Sequence, residues 1–498
     1  MGFEKTSQRC ACAAFPSMLA CTPASGGIRR LTAAGESATS ALCVRQGKKM
    51  NVNSLASALL GVISRGRPHS TVVSALALAA VLNCVATTAL AGNTYVVTTA
   101  LDPTGPPNTT SLREAIVAAN AANSADGNTV QFDPSLAGST ITLTTGEIQI
   151  NHQMHIVGPG AGNLTISGGD ASRIFYLSCA DTIQRVSISG LSLRNGNSAN
   201  YGGAIASKRC YLTLYGANIS ASHAKAGGGV FFNNGRIVRT VVSGCSAQTA
   251  GGILEYKAEG PVSIEYSTIS SNHASYSGGG VGIFFVLSSA INRSTINNNF
   301  VPSPGTSGPL GGGGIEVTNA KLKVAFSTIT GNHSFKSGGG ISFADFDTAN
   351  YATVYRSTIT SNYSYATPGN GLYAAAGHPT VSASIVADNF NIYGLTDLSG
   401  SFTLLYSLVQ TPGNATISGS GSILGVDAHL GPLAVNGGPT RTRLPFAASL
   451  AVDALPGCGT PGVDQRGVSA CVNGKMDIGA VERQSPEVII FRNGFDSG

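Results

Sequence analysis

The stretch STISSNHASYSGGGV, residues 267–281, decides the fold, because its pattern returns along most of the chain. Ser and Thr residues flank the apolar Ile269, Asn272 follows three positions later, and a glycine cluster precedes the next apolar residue. The aligned apolar residues of successive copies are 23 to 33 residues apart. Copies of the first half are ANISASHA (217–224), TVVSGCSA (240–247), STINNNF (294–300), STITGNHS (327–334), STITSNYS (357–364) and SIVADNF (384–390).

A repeat of this length in a β-rich chain predicts a solenoid in which each repeat forms one coil. One coil is too small to bury its apolar side chains alone, so like residues are expected to stack on like. The alternation in STI places Ile269 inside and the flanking Ser and Thr outside. We therefore predict an all-β, right-handed, single-stranded parallel β-helix with a small C-terminal capping module. It should have about ten coils of roughly three short strands each.

The composition excludes several other classes of protein. Charged residues make up 11% of the chain and hydrophobic residues 42%, which argues against disorder. There are 64 Gly residues without a three-residue period, so the chain is not collagen-like. Ser, Thr, Asn, Gly, Val and Ile dominate beyond residue 91, and these residues favour strands and turns over helices.

The net charge of +6 comes from the N-terminal part of the chain. Residues 1–91 hold nine basic and two acidic side chains, which leaves the remainder with a net charge of −1. Nucleic-acid binding needs clustered Lys and Arg, and the remainder offers no such cluster beyond the adjacent Lys208 and Arg209. Nucleic acid is therefore not an expected partner.

The N-terminal part is typical of an export signal. Residues 71–91 are apolar and uncharged, Arg65 and Arg67 precede them, and Ala89-Leu90-Ala91 ends the run with small residues. This order predicts a secretory signal within 50–91, with cleavage before Gly92. A membrane anchor is the alternative, but Ala, Thr and Asn lower the hydrophobicity of the run. Residues 1–49 are interpreted as an over-extended gene start, with translation from Met50, or as a disordered segment.

Asparagine recurs at one position of the repeat, and this predicts a side-chain ladder in which each amide bonds to the coils above and below. The next position carries His223, His273, Phe300, His333, Tyr363 and Phe390. Because Phe and Tyr alternate with His there, we favour ring stacking over a metal stripe. The ladder residues are Asn272, Asn299, Asn332, Asn362 and Asn389.

Five cysteines lie beyond residue 91, and none has the spacing of a zinc site. In an oxidising compartment, Cys458 and Cys471 are a candidate disulfide that closes the loop between them. An odd number leaves at least one thiol unpaired, and Cys245, at a repeat position, is expected to be a small buried core residue. The other two are Cys179 and Cys210.

Three parts of the sequence resemble known families. TSLREAIVAANA (110–121) resembles the CSLREAI motif of secreted bacterial β-helix proteins, with Thr110 in place of the Cys. The repeats are similar to polymorphic outer-membrane protein repeats, with Ile or Val in place of Phe. The C-terminal part resembles the choice-of-anchor Q domain in four phrases, LGPLAVNGGPT (430–440), SLAVDA (449–454), DQRG (464–467) and DIGAVE (477–482).

These resemblances imply a pectin lyase-like β-helix that is secreted or held at the outer-membrane surface of a bacterium, with no enzymatic activity implied. Export and surface-sorting machinery are then expected partners. The chain is divided into 1–49, the signal region 50–91, an N-terminal cap 92–140, the β-helix repeats 141–425, the anchor-like module 426–482, and a tail 483–498 that is a candidate sorting signal.

Catalysis requires acidic residues, and the coils contain few. Asp345 and Asp347 are weak catalytic candidates, because residues two apart share one face of a strand. Glu255, Glu265 and Glu316 lie on other coils, and strict alternation from Ile253 points Glu255 inward. In the C-terminal module, Asp453, Asp464 and Asp477 are weak calcium candidates, with an Arg466–carboxylate pair as the alternative. No other cofactor is expected.

Two functions of different classes remain open from the sequence. The favoured one is a non-catalytic, adhesin-like surface protein that binds glycans or extracellular matrix, with Tyr201, Tyr256 or Tyr363 stacking on sugars. The alternative is an extracellular polysaccharide lyase or glycoside hydrolase built on the β-helix. The partner is a polysaccharide or another cell-surface ligand in either case, and the sequence does not set the oligomeric state.

Overall fold

The computed structural model describes residues 30–31, 41–42, 92–180, 184–258, 260–302, 311–344, 352–365, 369–458 and 462–484. The chain divides into two units, Met1–Ala89 and Leu90–Gly498. In the first, Arg30–Leu31 pairs with Ala41–Leu42 in antiparallel orientation. All features discussed below belong to the second unit. Among the described residues, no helix is long and apolar enough to cross a membrane.

The second unit is a parallel β-helix, as the repeat predicts. A coil passes through up to four sheets, numbered 1 to 4 in the order in which the chain meets them, and nearly every strand pairs in parallel with its equivalents in the coils before and after. Sheet 4 contains ten strands, in agreement with about ten coils. Among the described residues, the coils Asn128–Ile150 and Met154–Ser178 have the expected three strands, and the eight coils from Arg185 to Ser399 have a further strand in sheet 3. The expectation of three strands was wrong for these eight coils, because the turn after the STI strand, where Ser271 has a φ of 55°, starts the further strand.

Sheets 1 and 2 open each coil. The strands of sheet 1 are Thr94–Val97, Asn128–Phe132, Met154–Val157, Arg185–Ser189, Tyr211–Tyr215, Gly235–Val238, Val262–Glu265, Ser289–Asn292, Leu322–Ala325, Ala352–Tyr355, Thr380–Ser382, Ser401–Leu405 and Thr416–Ser420. The strands of sheet 2 are Ser139–Thr142, Leu164–Ser167, Ser192–Arg194, Asn218–Ser220, Val241–Ser243, Thr268–Ser270, Thr295–Asn297, Thr328–Thr330, Thr358–Thr360, Ile385–Ala387, Leu408–Val409 and Ile423–Leu424.

Sheets 3 and 4 complete each coil. The strands of sheet 3 are Asn197–Tyr201, His223–Ala226, Ser246–Thr249, His273–Ser277, Phe300–Val301, His333–Ser334, Tyr363–Ser364, Phe390–Asn391 and, in antiparallel orientation, Gly394–Leu395. The strands of sheet 4 are Ile148–Ile150, Phe175–Ser178, Ile205–Lys208, Val230–Phe232, Ile253–Tyr256, Val281–Phe284, Ile315–Thr318, Ile341–Phe343, Leu372–Ala374 and Leu398–Ser399.

The core follows the repeat. The aligned residues Ile269, Ile296 and Ile329 are in register on sheet 2 and have no exposed surface, as predicted. The prediction that the Ser of STI lies outside was wrong. Its hydroxyl lies buried at the corner between sheets 1 and 2, where it accepts the backbone N–H of the same position one coil earlier. The N–H to Oγ distances are 3.1 Å for Ser267 to Ser294 and for Ser294 to Ser327.

The TSLREAI segment forms the cap of the first coil. Ser111 begins helix α1, Leu112–Ala122, with a capping box to Glu114, and the apolar face of the helix is buried on the core. Arg113 pairs with Asp102 at 2.8 Å. The Asn120 amide donates to the carbonyl of Gln149 and accepts the N–H of residue 151, so it substitutes for a neighbouring strand at the edge of sheet 4.

The C-terminal module packs along the outer face of sheet 2 and does not merely cover the last coil. It has two short antiparallel strands, Leu455–Pro456 and Lys475–Met476, and little other regular structure. The buried Gln465 amide bonds to the hydroxyls of Thr295 and Thr328 on two successive coils, at 3.0 and 2.7 Å. Thr295 and Thr328 point outward from their strands and are buried because the C-terminal module covers them. Thr268, the equivalent residue one coil before Thr295, is half-buried.

Two disulfides occur in the second unit. Cys458 is bonded to Cys471, the pair that the sequence offered, and Cys179 is bonded to Cys210 on the neighbouring coil, which the sequence did not indicate. Cys245 is unpaired and buried, and burial raises the pKa of its thiol to about 12. It therefore acts as a small core residue.

Candidate functional site

The outer face of sheet 4 presents one column of side chains in register, one from each coil. Alternate residues of the same strands point into the main core, so these residues face the opposite way. After the first residue, Gln149, the column is apolar or aromatic as far as Gly282, and the residues beyond Gly282 are polar. Its members are Gln149, Tyr176, Ala206, Phe231, Leu254, Gly282, Glu316, Ser342, Tyr373 and Ser399.

The apolar half of the column has its own small hydrophobic cluster, separate from the core. Ala206, Phe231, Ala250 and Leu254 are buried in it, although they lie on the outer face of the solenoid. Half-buried aromatic rings pack around this floor, and the Tyr201 ring lies 4.7 Å from that of Phe231. We name the surface formed by Tyr176, Tyr201, Phe231, Tyr256 and Phe284 the aromatic platform.

Gly282 ends the platform and is required for its shape. A Cβ atom at this position would lie 3.0 Å from Cε2 of Phe284 and 2.9 Å from Cβ of Ala250. Only a residue without a side chain lets the Phe284 ring lie across this strand.

Two lysines lie over the rings of the platform. The Lys208 Nζ atom is 5.2 Å from the ring centre of Tyr201 and 5.8 Å from that of Tyr176. The Lys257 Nζ atom is 5.3 Å from the ring centre of Tyr256. These are cation–π distances, and the structure shows no ion pair of either lysine with a described carboxylate.

The polar half of the column contains a buried carboxyl group. Glu316 has no exposed surface, and its Oε2 atom accepts the N–H of Gly311 at 3.1 Å. Its Oε1 atom and the hydroxyls of Thr318 and Ser342 have no hydrogen-bond partner among the described residues. Burial raises the pKa of Glu316 to about 8, so the group holds a proton at neutral pH.

The catalytic candidates Asp345 and Asp347 lie outside the described residues, and their pairing stays a prediction. They follow Ala344, which directly succeeds the sheet 4 strand that contains Ser342. The three glutamates named from the sequence lie in different places and do not form one site. Glu316 lies on sheet 4, Glu265 accepts a hydrogen bond from Ser263 on sheet 1, and Glu255 points inward, as the alternation indicated.

Glu255 is a fully buried carboxyl group inside the solenoid. Its Oε2 atom accepts the hydroxyl of Ser289 at 2.6 Å, and its Oε1 atom has no partner among the described residues. Burial raises its pKa from 4.5 to about 7.

This raised pKa predicts how stability depends on pH. The folded chain holds a proton that the unfolded chain releases, so the stabilising effect is complete below about pH 4.5 and is lost as the pH rises through 7. We expect the free energy of unfolding, measured in urea, to fall by at least about 1 kcal/mol between pH 5 and pH 8. Glu255→Gln should make this fall smaller, whereas Glu265→Gln on sheet 1 should not. Equal pH slopes in both variants would contradict the assignment.

The asparagine positions form a continuous buried ladder. Each Nδ2 group donates to the Oδ1 atom of the next coil, at 3.0 Å for Asn272 to Asn299 and 2.9 Å for Asn299 to Asn332. The bonds Asn332 to Asn362 and Asn362 to Asn389 continue it at 3.0 and 2.9 Å.

The ladder ends on an acidic residue that the sequence did not suggest. Asn389 donates to Oδ1 of Asp397 at 2.7 Å, and the N–H of Thr411 donates to Oδ2 at 2.6 Å. Burial raises the pKa of Asp397 to about 7. No repeated phrase surrounds Asp397, because the hairpin Phe390–Asn391 and Gly394–Leu395 interrupts the period before it.

The position after each ladder Asn forms a row of rings on the outer face of sheet 3. The ring centres of His273 and Phe300 are 5.8 Å apart, and those of His333 and Tyr363 are 4.2 Å apart and stacked. This is the stacking that the sequence favoured over a metal stripe. Tyr363 therefore lies in this row, whereas Tyr201 and Tyr256 lie on the platform.

The acidic residues of the C-terminal module make structural contacts. Asp464 is buried and bonds to Nε of Arg466 at 2.9 Å. The buried Asp477 accepts the N–H groups of Asp453 and Arg483, both at 2.7 Å, and the side chain of Asp453 is exposed. Within the described residues, no three His, Cys, Asp or Glu side chains come together as metal ligands. The arrangement favours the arginine–carboxylate interpretation, and calcium stays an untested prediction.

Comparison with known proteins finds solved structures of partial similarity. No family model and no curated protein matches the sequence. Pectate lyase Pel9A is similar in structure with a TM-score of 0.43 and 15% identity, over 79% of this chain and 96% of that chain. The A-module of the mannuronan C-5 epimerase AlgE6 from Azotobacter vinelandii has a TM-score of 0.29 and 15% identity, over 63% and 94%. Tailspike protein 3 of bacteriophage CBA120 has a TM-score of 0.27 and 13% identity, over 62% of this chain and 58% of that chain.

Proposed function

We propose that this protein is a non-catalytic, adhesin-like β-helix that binds carbohydrate outside the cell through the aromatic platform. The platform is the observation that carries the proposal. It places partly exposed aromatic rings around a buried apolar floor on the outer face of the solenoid.

The chemistry of the platform suits a sugar chain. The C–H faces of sugar rings pack on aromatic rings, while their hydroxyl groups bond to the neighbouring polar side chains and to the Tyr hydroxyls. The platform extends over five successive strands of sheet 4, Phe175–Ser178 to Val281–Phe284. At about 4.8 Å per coil this is roughly 19 Å, the length of a short oligosaccharide.

The position of the C-terminal module is compatible with surface display. The module packs on sheet 2, whereas the platform lies on sheet 4. If the module holds the protein to an anchor, as its resemblance implies, the platform needs no rearrangement to meet a ligand. The export signal in 50–91, the anchoring role of 426–482 and the sorting role of 483–498 belong to this proposal.

Removing two rings of the platform tests the binding function. The double variant Tyr201→Ala and Tyr256→Ala should weaken retention of the purified chain on its polysaccharide at least about tenfold, since each stacking ring contributes on the order of 1 kcal/mol. Retention is measured by affinity electrophoresis across a panel of neutral and acidic polysaccharides, followed by calorimetry on the best ligand. Tyr215→Ala, an exposed Tyr on sheet 1, is the matched control. Unchanged binding by the double variant, or no retention of the native chain, contradicts the proposal.

A specific observation keeps the enzyme as a second candidate function. Burial raises the pKa of Glu316 to about 8, and the residue lies in the same column as the platform, in the coil that follows Gly282. A carboxyl group that is protonated near neutral pH is the group that a glycosidase or lyase needs as general acid, and Glu316, which has no exposed surface, must become accessible to the sugar to act in this way. The same panel distinguishes the two functions. New reducing ends or unsaturated products from the native chain that are absent with Glu316→Gln would replace binding by catalysis.

A further inference from the structure

We infer that the platform selects sugar chains that carry anionic groups, and that Lys208 is the residue that recognises the anion. This inference rests on the proposed carbohydrate binding and names the class of ligand.

Lys208 ends the sheet 4 strand Ile205–Lys208, two residues after the outward Ala206, and is in register with Ser178. Its ammonium group lies between two rings, that of Tyr176 from the preceding coil and that of Tyr201 from its own coil. Both rings attract the cation at the edge of the apolar floor. Part of the side-chain freedom of Lys208 is therefore already restricted before a ligand arrives, which lowers the entropy cost of binding an anion.

Among the described residues, the charges on this face are unbalanced. Arg173, the other cation over Tyr176, is already paired with Glu147. Neither Lys208 nor Lys257 forms an ion pair with a described carboxylate. The acidic residues of the two neighbouring connections, Asp181 and Glu259, lie outside the described residues.

A ligand anion would supply the missing partner. When the apolar face of a sugar covers Phe231 and Leu254, a carboxylate or sulfate on that sugar meets the Lys208 ammonium next to the aromatic rings. Water is scarce there, so the charged hydrogen bond between the anion and the ammonium is stronger than in bulk water. Lys257 provides a second cation two coils further on, about 10 Å along the axis, where it lies over the single ring of Tyr256. A polymer with regularly spaced anionic groups meets both cations, whereas an isolated anion meets one.

The test compares charged polymers with uncharged ones. Retention of the native chain is measured on polygalacturonate, alginate, hyaluronan and heparin, and on the uncharged dextran and methyl-esterified polygalacturonate. We expect the native chain to prefer acidic polymers, and Lys208→Gln with Lys257→Gln to reduce that binding at least about tenfold. The dependence of binding on salt should weaken in the same variant. The control is Lys321→Gln with Lys323→Gln, which removes the same charge from the sheet 1 side.

The outcomes separate this inference from the proposed function. Binding to the uronic acid polymers alone assigns a carboxylate, and additional binding to heparin assigns anionic sugars in general. If the lysine variant keeps the acidic preference, or if the native chain binds no acidic polymer more tightly than the uncharged ones, the inference is wrong. Binding to uncharged polymers that depends on Tyr201 and Tyr256 would then still support the proposed function.

Discussion

Asn332→Ala is expected to lower the free energy of unfolding by about 3 kcal/mol, because it breaks the ladder at its centre. The Oδ1 atom of Asn332 accepts two hydrogen bonds from Asn299, one from the backbone N–H at 3.0 Å and one from Nδ2 at 2.9 Å. Its own Nδ2 group donates to the carbonyl of Ile296 and to Oδ1 of Asn362. All of these groups are buried, so water cannot replace the lost partners.

The measurement is unfolding in urea, followed by circular dichroism and by the fluorescence of the Tyr residues. Asn297→Ala is the matched control, because Asn297 lies on the preceding coil, is half-buried and makes no side-chain hydrogen bond to a described residue. It should change the free energy of unfolding by less than about 0.5 kcal/mol. A loss of similar size in both variants would show that the ladder contributes no more than any Asn on these coils.

Arg356→Met is expected to cost about 3–5 kcal/mol at pH 8, since it leaves a buried carboxyl group without its cation. The Nη2 atom of Arg356 lies 3.4 Å from Oε2 of Glu482, and both side chains are almost fully buried between sheet 2 and the C-terminal module. The same guanidinium donates to the carbonyl of Ala470, so it holds the module at two points.

The loss of unfolding free energy in Arg356→Met should depend on pH, and the direction of this dependence shows whether the charge of Glu482 causes the loss. Burial raises the pKa of Glu482 to about 7 even with Arg356 present. At pH 5 the carboxyl is protonated and the ion pair is weak, so the loss should be smaller than at pH 8. Adding Glu482→Gln to Arg356→Met should recover part of the stability at pH 8, because no charge is then left buried.

Urea unfolding at pH 5 and pH 8, together with limited proteolysis of the module, measures both effects. Arg194→Met provides the control, because Arg194 is an exposed residue on an earlier strand of sheet 2. If the loss at pH 5 equals the loss at pH 8, packing by the arginine stem and not its charge holds the module.

The residues that could be predicted from the sequence are those that recur. Ile269 and Asn272 return in coil after coil, and a repeated residue must meet its own copy once parallel coils stack. The buried isoleucine stack and the asparagine ladder follow from that rule alone. The Ser of STI recurs as well, but alternation placed it outside, because the corner that buries it is not part of a regular strand.

The residues of the platform do not recur, and the sequence singled out only two of them, Tyr201 and Tyr256, as separate candidates for stacking on sugars. Tyr176, Tyr201 and Phe231 are 25 to 55 residues apart and share no repeated phrase. Their contact depends on the register of three coils and on side chains that differ from one coil to the next. Lys208 was interpreted as part of a solvated pair for the same reason.

The sequence by itself determined the parallel β-helix, its period, its inner face and its asparagine ladder, because each is a local pattern that stacking only multiplies. The tertiary structure alone decided the fourth strand of the coils after Arg185, the burial of Glu316, the aromatic platform and the docking of Gln465 against Thr295 and Thr328. These features join side chains from different coils or from segments about 170 and 137 residues apart. No period in the sequence records such contacts, since they form only when the coils and the C-terminal module have packed.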